Sequence, residues 1–512
     1  MHEDVLTRLT PQSGKGRFFR DVHLYEKEKK SLMRRAKILC TVGPKSATPH
    51  MLEALLNNGM NMVRLNMSHG THHWHAKTIK MIRDVEVKLN VSIPIMVDLQ
   101  GPRIRIGTLS SKGMELISGQ SISLTPIDSQ RSKKRGVVNV KSASLPIGYP
   151  TLSQDVLPKQ RILINDGLIE LRVVKVAKKH VTCSVIVGGR VTSNKGVNLP
   201  DTSLSTSSLT PKDHEDIRLA VEHNVDYIAL SFVRSAIDIQ AVKRIIRRSG
   251  SAIPVIAKIE RPEAVNRLDK ILDHADGVMV ARGDLAIEMT LEAVPILQKQ
   301  IIAVANRRHR LVITATQMLE SMTQHSIPTR AEASDVANAV LDGSDVLMLS
   351  AETSTGQYPV QAVQVMDRVI RSAENSDVLR WEPANATQDF SASVVASTCV
   401  AAASAARFIQ AHVIVVFTDS GTTALLMSKQ RPNVPIVGLT PFTSSLRRME
   451  TFWGVAPYLM HHISNTDERI EMAEMILKRH RLVESGNRVV ILSGEHGQKR
   501  TGTNLMKVYE VH

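Results

Sequence analysis

Aromatic side chains are scarce in this sequence: phenylalanine, tryptophan and tyrosine together make up 3% of its 512 residues. Proteins that grip single-stranded nucleic acid stack bases on such rings. The formal charge of +16 therefore reads as a basic surface suited to small anionic ligands, and no nucleic-acid partner is expected. Cysteine is scarcer still. Cys40, Cys183 and Cys399 lie far apart without paired ligand spacing, which excludes a disulfide framework and a cysteine-ligated zinc site and points to a reducing compartment. No apolar run approaches the roughly 18 residues that a membrane span needs, so no membrane partner is expected. The first thirty or so residues lack an apolar secretory core and mix acids with bases (Glu3, Asp4, Arg17, Arg20, Asp21, Lys29, Lys30). That argues against a cleaved targeting peptide and for a cytoplasmic location, with residues 1–33 an N-terminal extension.

What is present is the composition of a globular chain, 43% hydrophobic beside 22% charged. Its length exceeds the roughly 250–300 residues at which single cores stop growing, so two or three domains are expected. Short apolar or β-branched runs alternate with longer helical patterns, the pattern of repeated βα units. The strand-like runs are Ala36–Gly43, Asn61–Asn66, Pro94–Leu99, Asp226–Phe232, Pro254–Glu260, Gly277–Arg282, Leu311–Thr316 and Asp345–Ser350. Eight parallel strands of this kind close into a (β/α)8 TIM barrel. The gap after the third run is too long for one helix and is rich in Val, Gly, Ser and Thr, with strand-like pieces at Arg161–Ile164, Leu171–Val176 and Val181–Val187. It reads as an inserted all-β lid domain over 102–201, with the barrel over 34–101 and 202–375. From 376 to 512 a new α/β pattern begins, with a small-residue helix at Ala396–Ala406 and strands at His412–Thr418, Val434–Leu439, Arg488–Ser493 and Met506–Val511.

Barrel active sites sit at the C-terminal ends of the strands, so the residue that ends each strand is informative. The second run ends Arg64-Leu65-Asn66-Met67-Ser68-His69-Gly70 and the third at Asp98. The fifth ends Lys258-Ile259-Glu260, the sixth Arg282-Gly283-Asp284, the seventh Thr316-Gln317 and the eighth Ser350-Ala351-Glu352-Thr353. One charged tip would pass for a solvated strand end; six aimed at one mouth imply chemistry. Two acids on neighbouring strands, Glu260 and Asp284, suit a hard divalent cation that keeps positions for substrate oxygens. Lys258 and Arg64 suit an anion whose charge moves during reaction, as in phosphoryl transfer.

The stretches 62–70 (MVRLNMSHG), 257–260 (AKIE), 279–285 (MVARGDL), 315–322 (ATQMLESM) and 328–332 (PTRAE), with 335–343 (DVANAVLDG), resemble the signatures of the pyruvate kinase family. The resemblance runs from about residue 34 to the end of the sequence. It implies transfer of the phosphoryl group of phosphoenolpyruvate to ADP, giving ATP and pyruvate. It implies Mg2+, replaceable by Mn2+, held by Glu260 and Asp284, and a carboxylate site lined by the backbone of Ala281, Arg282 and Gly283. Lys258 would stabilise the phosphoryl group in flight and Arg64 would contact it. Thr316 would stand near the methylene carbon, with Ser350 and Glu352 as proton-relay neighbours. Asn66, His69, Arg105 and the lid residue Lys195 match nucleotide contacts, and homotetramers are usual in the family.

Two features modify this picture. Members that need potassium typically read Asp-Thr-Lys-Gly-Pro-Glu-Ile-Arg-Thr after the third strand, where this chain reads Asp98-Leu99-Gln100-Gly101-Pro102-Arg103-Ile104-Arg105-Ile106. The basic Arg103 in place of a carboxylate resembles the branch that does not require potassium, a fixed internal cation supplying the charge. Should Arg103 point into solvent, Asn66, Ser68, Asp98 and the Leu99 carbonyl form a monovalent-cation site. In the C-terminal domain Thr418, Ser420, Gly421, Thr422 and Thr423 resemble the family's effector phosphate loop, which implies an anionic activator such as a sugar phosphate or AMP. The same residues also suit an ordinary strand-to-helix turn with a cap. Asp419 would oppose a phosphate there, and Lys499 and Arg500 would offset it.

Overall fold

The computed structural model describes residues 34–127, 144–376, 393–494 and 502–512; the N-terminal extension, Lys499 and Arg500 lie outside them. Eight strands close a parallel barrel in the order β1-β16-β15-β14-β13-β12-β3-β2. They are β1 (Lys37–Thr41), β2 (Met62–Asn66), β3 (Ile95–Asp98), β12 (Tyr227–Leu230), β13 (Val255–Ile259), β14 (Gly277–Ala281), β15 (Leu311–Ala315) and β16 (Val346–Leu349). Each is covered on both faces, which is why the runs are continuously apolar rather than alternating. Ile38, Val63, Val97 and Ile228 pack outward under the helices, while Leu39, Met62, Met96, Ala229, Ile256, Met279 and Ile313 fill the interior.

Between β3 and β12 the chain builds a separate β unit. Its strands are β4 (Met114–Leu116), β5 (Ser121–Pro126), β6 (Ser144–Ile147), β7 (Arg161–Ile164), β8 (Ile169–Ala177), β9 (His180–Val187), β10 (Gly189–Val191) and β11 (Val197–Asn198). They form a six-stranded sheet, β11-β7-β8-β9-β5-β6, beside a β10-β4 pair. One helical turn, Leu152–Asp155, interrupts the strands. The unit is tied back to the barrel: Arg261, just past β13, donates to the Leu199 and Thr202 carbonyls at 3.4 and 3.0 Å. Asn198 donates to Glu288 at 2.8 Å.

The C-terminal sheet, β19-β18-β17-β20-β21, has four parallel strands, β17 (Val413–Phe417), β18 (Ile436–Thr440), β19 (Val455–Leu459) and β20 (Arg488–Ser493), with β21 (Leu505–Glu510) antiparallel at one edge. The strand β19 was not among the sequence expectations, because Pro457 and the Gly454 turn break its run. This domain docks on the N-terminal end of the barrel. Met449 and Phe452 share one core with Leu311 and Val346, the first residues of β15 and β16, and Tyr227 at the start of β12 meets Thr451 Oγ1 at 2.9 Å. The C-terminal barrel mouth is thereby left for chemistry.

Candidate active site

At that mouth Lys258, the fourth residue of β13, is buried together with its partners. Its ammonium donates to Ser231 Oγ at 2.7 Å and lies 2.9 Å from Glu260 Oε1 and 3.3 Å from Asp98 Oδ1. Arg64 Nε donates to Asp98 Oδ2 at 2.7 Å, and another of its nitrogens donates to Thr41 Oγ1 at 3.1 Å. Two cations and two carboxylates from β2, β3 and β13 thus interlock where ordinary burial would forbid charge. Burial pulls the Lys258 pKa down, but Asp98 and Glu260 outweigh it, so the pKa is raised and the ammonium persists across the physiological range. Burial works against the Asp98 carboxylate too; Lys258 and Arg64 overcome it and hold its pKa below the ordinary range.

Glu260 is fully buried, and its pKa is raised by burial first and by the nearby Asp284 charge, against the pull of Lys258. One oxygen accepts the Phe232 N–H at 2.7 Å; the other lies 2.9 Å from the Lys258 ammonium. A fully buried carboxylate whose charge is opposed by that of a second one, Asp284, fits a cation-binding pair. Among the described residues no cluster of three or more His, Cys, Asp or Glu side chains could hold a metal by itself. The pair Glu260 and Asp284 fits an ion such as Mg2+ that keeps open positions for substrate oxygens.

The sixth and seventh strands end against each other. Thr316 Oγ1 accepts the Gly283 N–H at 2.8 Å. Thr316 has φ +70° and Gln317 φ +53°, left-handed conformations that cost non-glycine residues of the order of 1–3 kcal/mol. Arg282 secures them: its side chain turns away from the mouth, donating to the Thr316 carbonyl and to Asp335 Oδ1, each at 2.6 Å. At the eighth strand the Ser350 N–H donates to Glu352 Oε2 at 2.6 Å, while Ser350 Oγ is buried without a partner. Burial raises the Glu352 pKa, against the Leu319 and Ser350 N–H groups that its two oxygens accept.

The nucleotide candidates divide between two units. Asn66 Oδ1 accepts the Ser68 N–H at 3.1 Å, and exposed His69 offers its carbonyl to the His75 ring at 2.8 Å. Arg105 and Lys195 belong to the inserted unit, where Arg105 bridges Gly196 and donates to the Asn194 carbonyl at 2.9 Å. Arg103 is exposed and lines a small cavity with Asp284, Glu288 and Arg261. Within the monovalent set, the Leu99 carbonyl already accepts Ser231 Oγ at 2.7 Å, and Asp98 is engaged by Arg64 and Lys258. In the C-terminal loop Gly421 is left-handed at φ +85°, Thr418 Oγ1 accepts its N–H at 3.0 Å, and Ser420 Oγ lies 2.9 Å from Thr422 Oγ1. The segment is the turn from β17 into the helix Thr422–Lys429; its N-cap, Gly421, has no side chain to cap with, but Ser420 Oγ accepts the Thr422 N–H at 3.4 Å.

Two contributors escape the reading by strand tips. Ser231 links Lys258 to the Leu99 carbonyl, and Phe232, at φ +54°, presents its N–H to Glu260. Both directly follow β12, whose tip carries no charge; the only signal was a hydroxyl at a barrel strand's C-terminal end.

The chain matches the family described as the pyruvate kinase barrel domain over residues 33–363 and the pyruvate kinase alpha/beta domain over residues 396–509. It is 40% identical over 481 residues to pyruvate kinase 2 of Synechocystis, covering 93% of this chain and 79% of that one. It is 38% identical over 486 residues to the pyruvate kinase of Dictyostelium discoideum, covering 93% and 94%. Among solved structures, a pyruvate kinase from Cryptosporidium parvum superimposes with a TM-score of 0.85 at 34% identity, over 94% of this chain and 96% of the other.

Proposed function

The chain belongs to the pyruvate kinase family and is an enzyme that transfers a phosphoryl group from phosphoenolpyruvate to ADP; we propose that it does so with Mg2+ held by Glu260 and Asp284 and without need of potassium. The observation that carries the assignment of roles is the Lys258 ammonium, fixed by Ser231, Asp98 and Glu260 beside Arg64. In the reaction the bond between phosphorus and the enol oxygen breaks, and a bond forms to a terminal oxygen of ADP. The enolate left behind takes a proton at its methylene carbon and becomes pyruvate.

Lys258 and Arg64 face the three oxygens that carry spread charge during transfer, where fixed cations count most. The metal, when bound at Glu260 and Asp284, would add positive charge against the same oxygens. Thr316 and the backbone of Ala281–Gly283 would orient the enolpyruvate, with Ser350 and Glu352 supplying a hydroxyl and a carboxyl group near the site of proton movement. Asn66, His69, Arg105 and Lys195 would take the nucleotide from two sides, so that the inserted unit acts as a lid.

Potassium independence takes Arg103, which lines the same small cavity as Asp284, as the supplied cation; because Arg103 is exposed, the set of Asn66, Ser68, Asp98 and the Leu99 carbonyl is the competing reading, a monovalent-cation site. We place an anionic activator, a sugar phosphate or AMP, at the 418–423 loop, in a cytoplasmic homotetramer. The test measures ATP and pyruvate formation from phosphoenolpyruvate, ADP and Mg2+, in tetramethylammonium buffer free of potassium and in KCl. Equal rates are expected. Activity in KCl alone would overturn the role of Arg103 while leaving the kinase assignment.

A further inference from the structure

The helix Pro211–Glu222 begins where the chain returns from the inserted unit to the barrel. Thr210 is its N-cap and Pro211 stands in its first turn, a start that the local sequence explains. The next two residues do more than start it. Asp213, fully buried, holds Thr210 through one oxygen, which accepts the Thr210 N–H at 2.8 Å and its hydroxyl at 2.6 Å. The other oxygen reaches 112 positions back in sequence and accepts the Gly101 N–H at 3.1 Å. Gly101, left-handed at φ +68°, lies in the turn by which the chain leaves the barrel for the inserted unit, so one carboxylate holds both connections of that unit. Lys212 reaches the end of the second barrel strand instead: its ammonium donates to the Met67 carbonyl at 2.8 Å and to the two oxygens of Asp216 at 2.9 and 2.7 Å. Asp216 is itself fully buried and meets Nε2 of His72, on the helix His72–Leu89, at 2.6 Å. An exposed lysine–aspartate pair one helical turn apart contributes little; here the acid is buried and the third ammonium donor goes to a loop carbonyl. Two residues beyond Met67, the His75 ring takes the His69 carbonyl at 2.8 Å.

The segment pinned in this way carries Asn66 and His69, the barrel's half of the candidate nucleotide contacts, while Gly101 leads into Arg105 of the inserted unit's half. We propose that Lys212 is a positioning residue for ADP. It ties the Met67 carbonyl to the same helical turn from which Asp213 holds Gly101, and so sets the two halves of the nucleotide site at a fixed spacing. This rests on Asn66, His69, Arg105 and Lys195 being nucleotide contacts and adds what keeps them in register. Small displacements of such groups cost far more than the contact that is lost. The phosphoenolpyruvate end does not depend on Lys212, because Arg64, on the same strand, is held separately by Asp98 and Thr41.

The test is steady-state kinetics of the full chain, with ADP and phosphoenolpyruvate varied separately, in the parent, Lys212→Met, Lys212→Arg and His69→Ala, and with unfolding midpoints measured alongside. The Lys212 side chain is 40% exposed, so its replacement leaves the core intact. Lys212→Met is expected to raise the KM for ADP about ten-fold, the size of one charge-assisted hydrogen bond, with kcat and the KM for phosphoenolpyruvate within about two-fold of the parent. Lys212→Arg, which keeps a cationic donor for the Met67 carbonyl, should restore most of that loss. An unchanged KM for ADP in Lys212→Met, beside a raised one in His69→Ala, would overturn the positioning role and leave the nucleotide contacts standing; unchanged values in both variants would overturn both. Parallel rises in the two KM values, or a lower unfolding midpoint with parental kinetics, would make Lys212 a structural residue only and equally overturn the proposal.

Discussion

At the scale of single residues, the site depends on keeping charge where burial disfavours it. Lys258 keeps its proton because two carboxylates outweigh desolvation, and Ser231 supplies the neutral partner that aims it. Ser231→Ala removes one of those contacts, worth about 1–1.5 kcal/mol. Steady-state kinetics should show kcat reduced about ten-fold with the KM for ADP little changed. Glu260→Gln and Asp284→Asn should each weaken Mn2+ binding, followed by the paramagnetic resonance of the free ion, by more than the roughly 10–100-fold that outer-shell changes cost. Unaltered Mn2+ affinity in either variant would remove that carboxylate from the metal site. Charged residues at strand tips were legible because a barrel directs every tip to one mouth. Ser231 was not, because a serine after an apolar run looks like any turn residue until Lys258 is seen against it.

At the scale of elements, the two tips that leave the ladder with positive φ, Phe232 and Thr316–Gln317, are where the chain stores strain. The expected strand runs extend through Phe232 and Thr316, whereas the structure ends β12 at Leu230 and β15 at Ala315. Nothing in Phe, Thr or Gln announces a left-handed backbone; tertiary contacts impose it. For the seventh tip the contact is Arg282, held in turn by Asp335 on the helix Arg330–Leu341. Asp335→Ala should release the Arg282 side chain and let the Thr316 hydroxyl drift from Gly283. The expected result is kcat lower by about ten-fold, since small misplacements cost of this order or more, with rescue by Asp335→Glu. A variant that only melts earlier, with parental kcat, would make this pair structural.

At the scale of the whole molecule, the C-terminal domain is fastened to the barrel by buried charge. Asp345, fully buried at the entrance to β16, takes both Lys429 and Arg431 from the C-terminal domain, and Lys37 of β1 donates to the Val455 carbonyl at 2.8 Å. These partners are 84, 86 and 418 positions apart in sequence, so no local pattern could disclose them. Burial lowers the Lys37 pKa to about 8, against the attraction of Glu450. Between about pH 8 and the ordinary lysine value near 10.4 the unfolded chain binds the extra proton, so this group's contribution to stability rises with pH across that window. The difference in unfolding free energy between the parent and Lys37→Met, from urea titrations at several pH values, should therefore grow from pH 8 to 10. A flat difference would mean that Lys37 is not desolvated as the domain junction implies.

The central claim is that Lys258 carries the transfer. Its direct test is the rate of pyruvate and ATP formation from phosphoenolpyruvate, ADP and Mg2+ by Lys258→Ala, compared with the parent at matched unfolding midpoint. Losing a fixed cation at the site of developing charge predicts a drop of at least about 100–1,000-fold in kcat; turnover within a few-fold of the parent would contradict the mechanism.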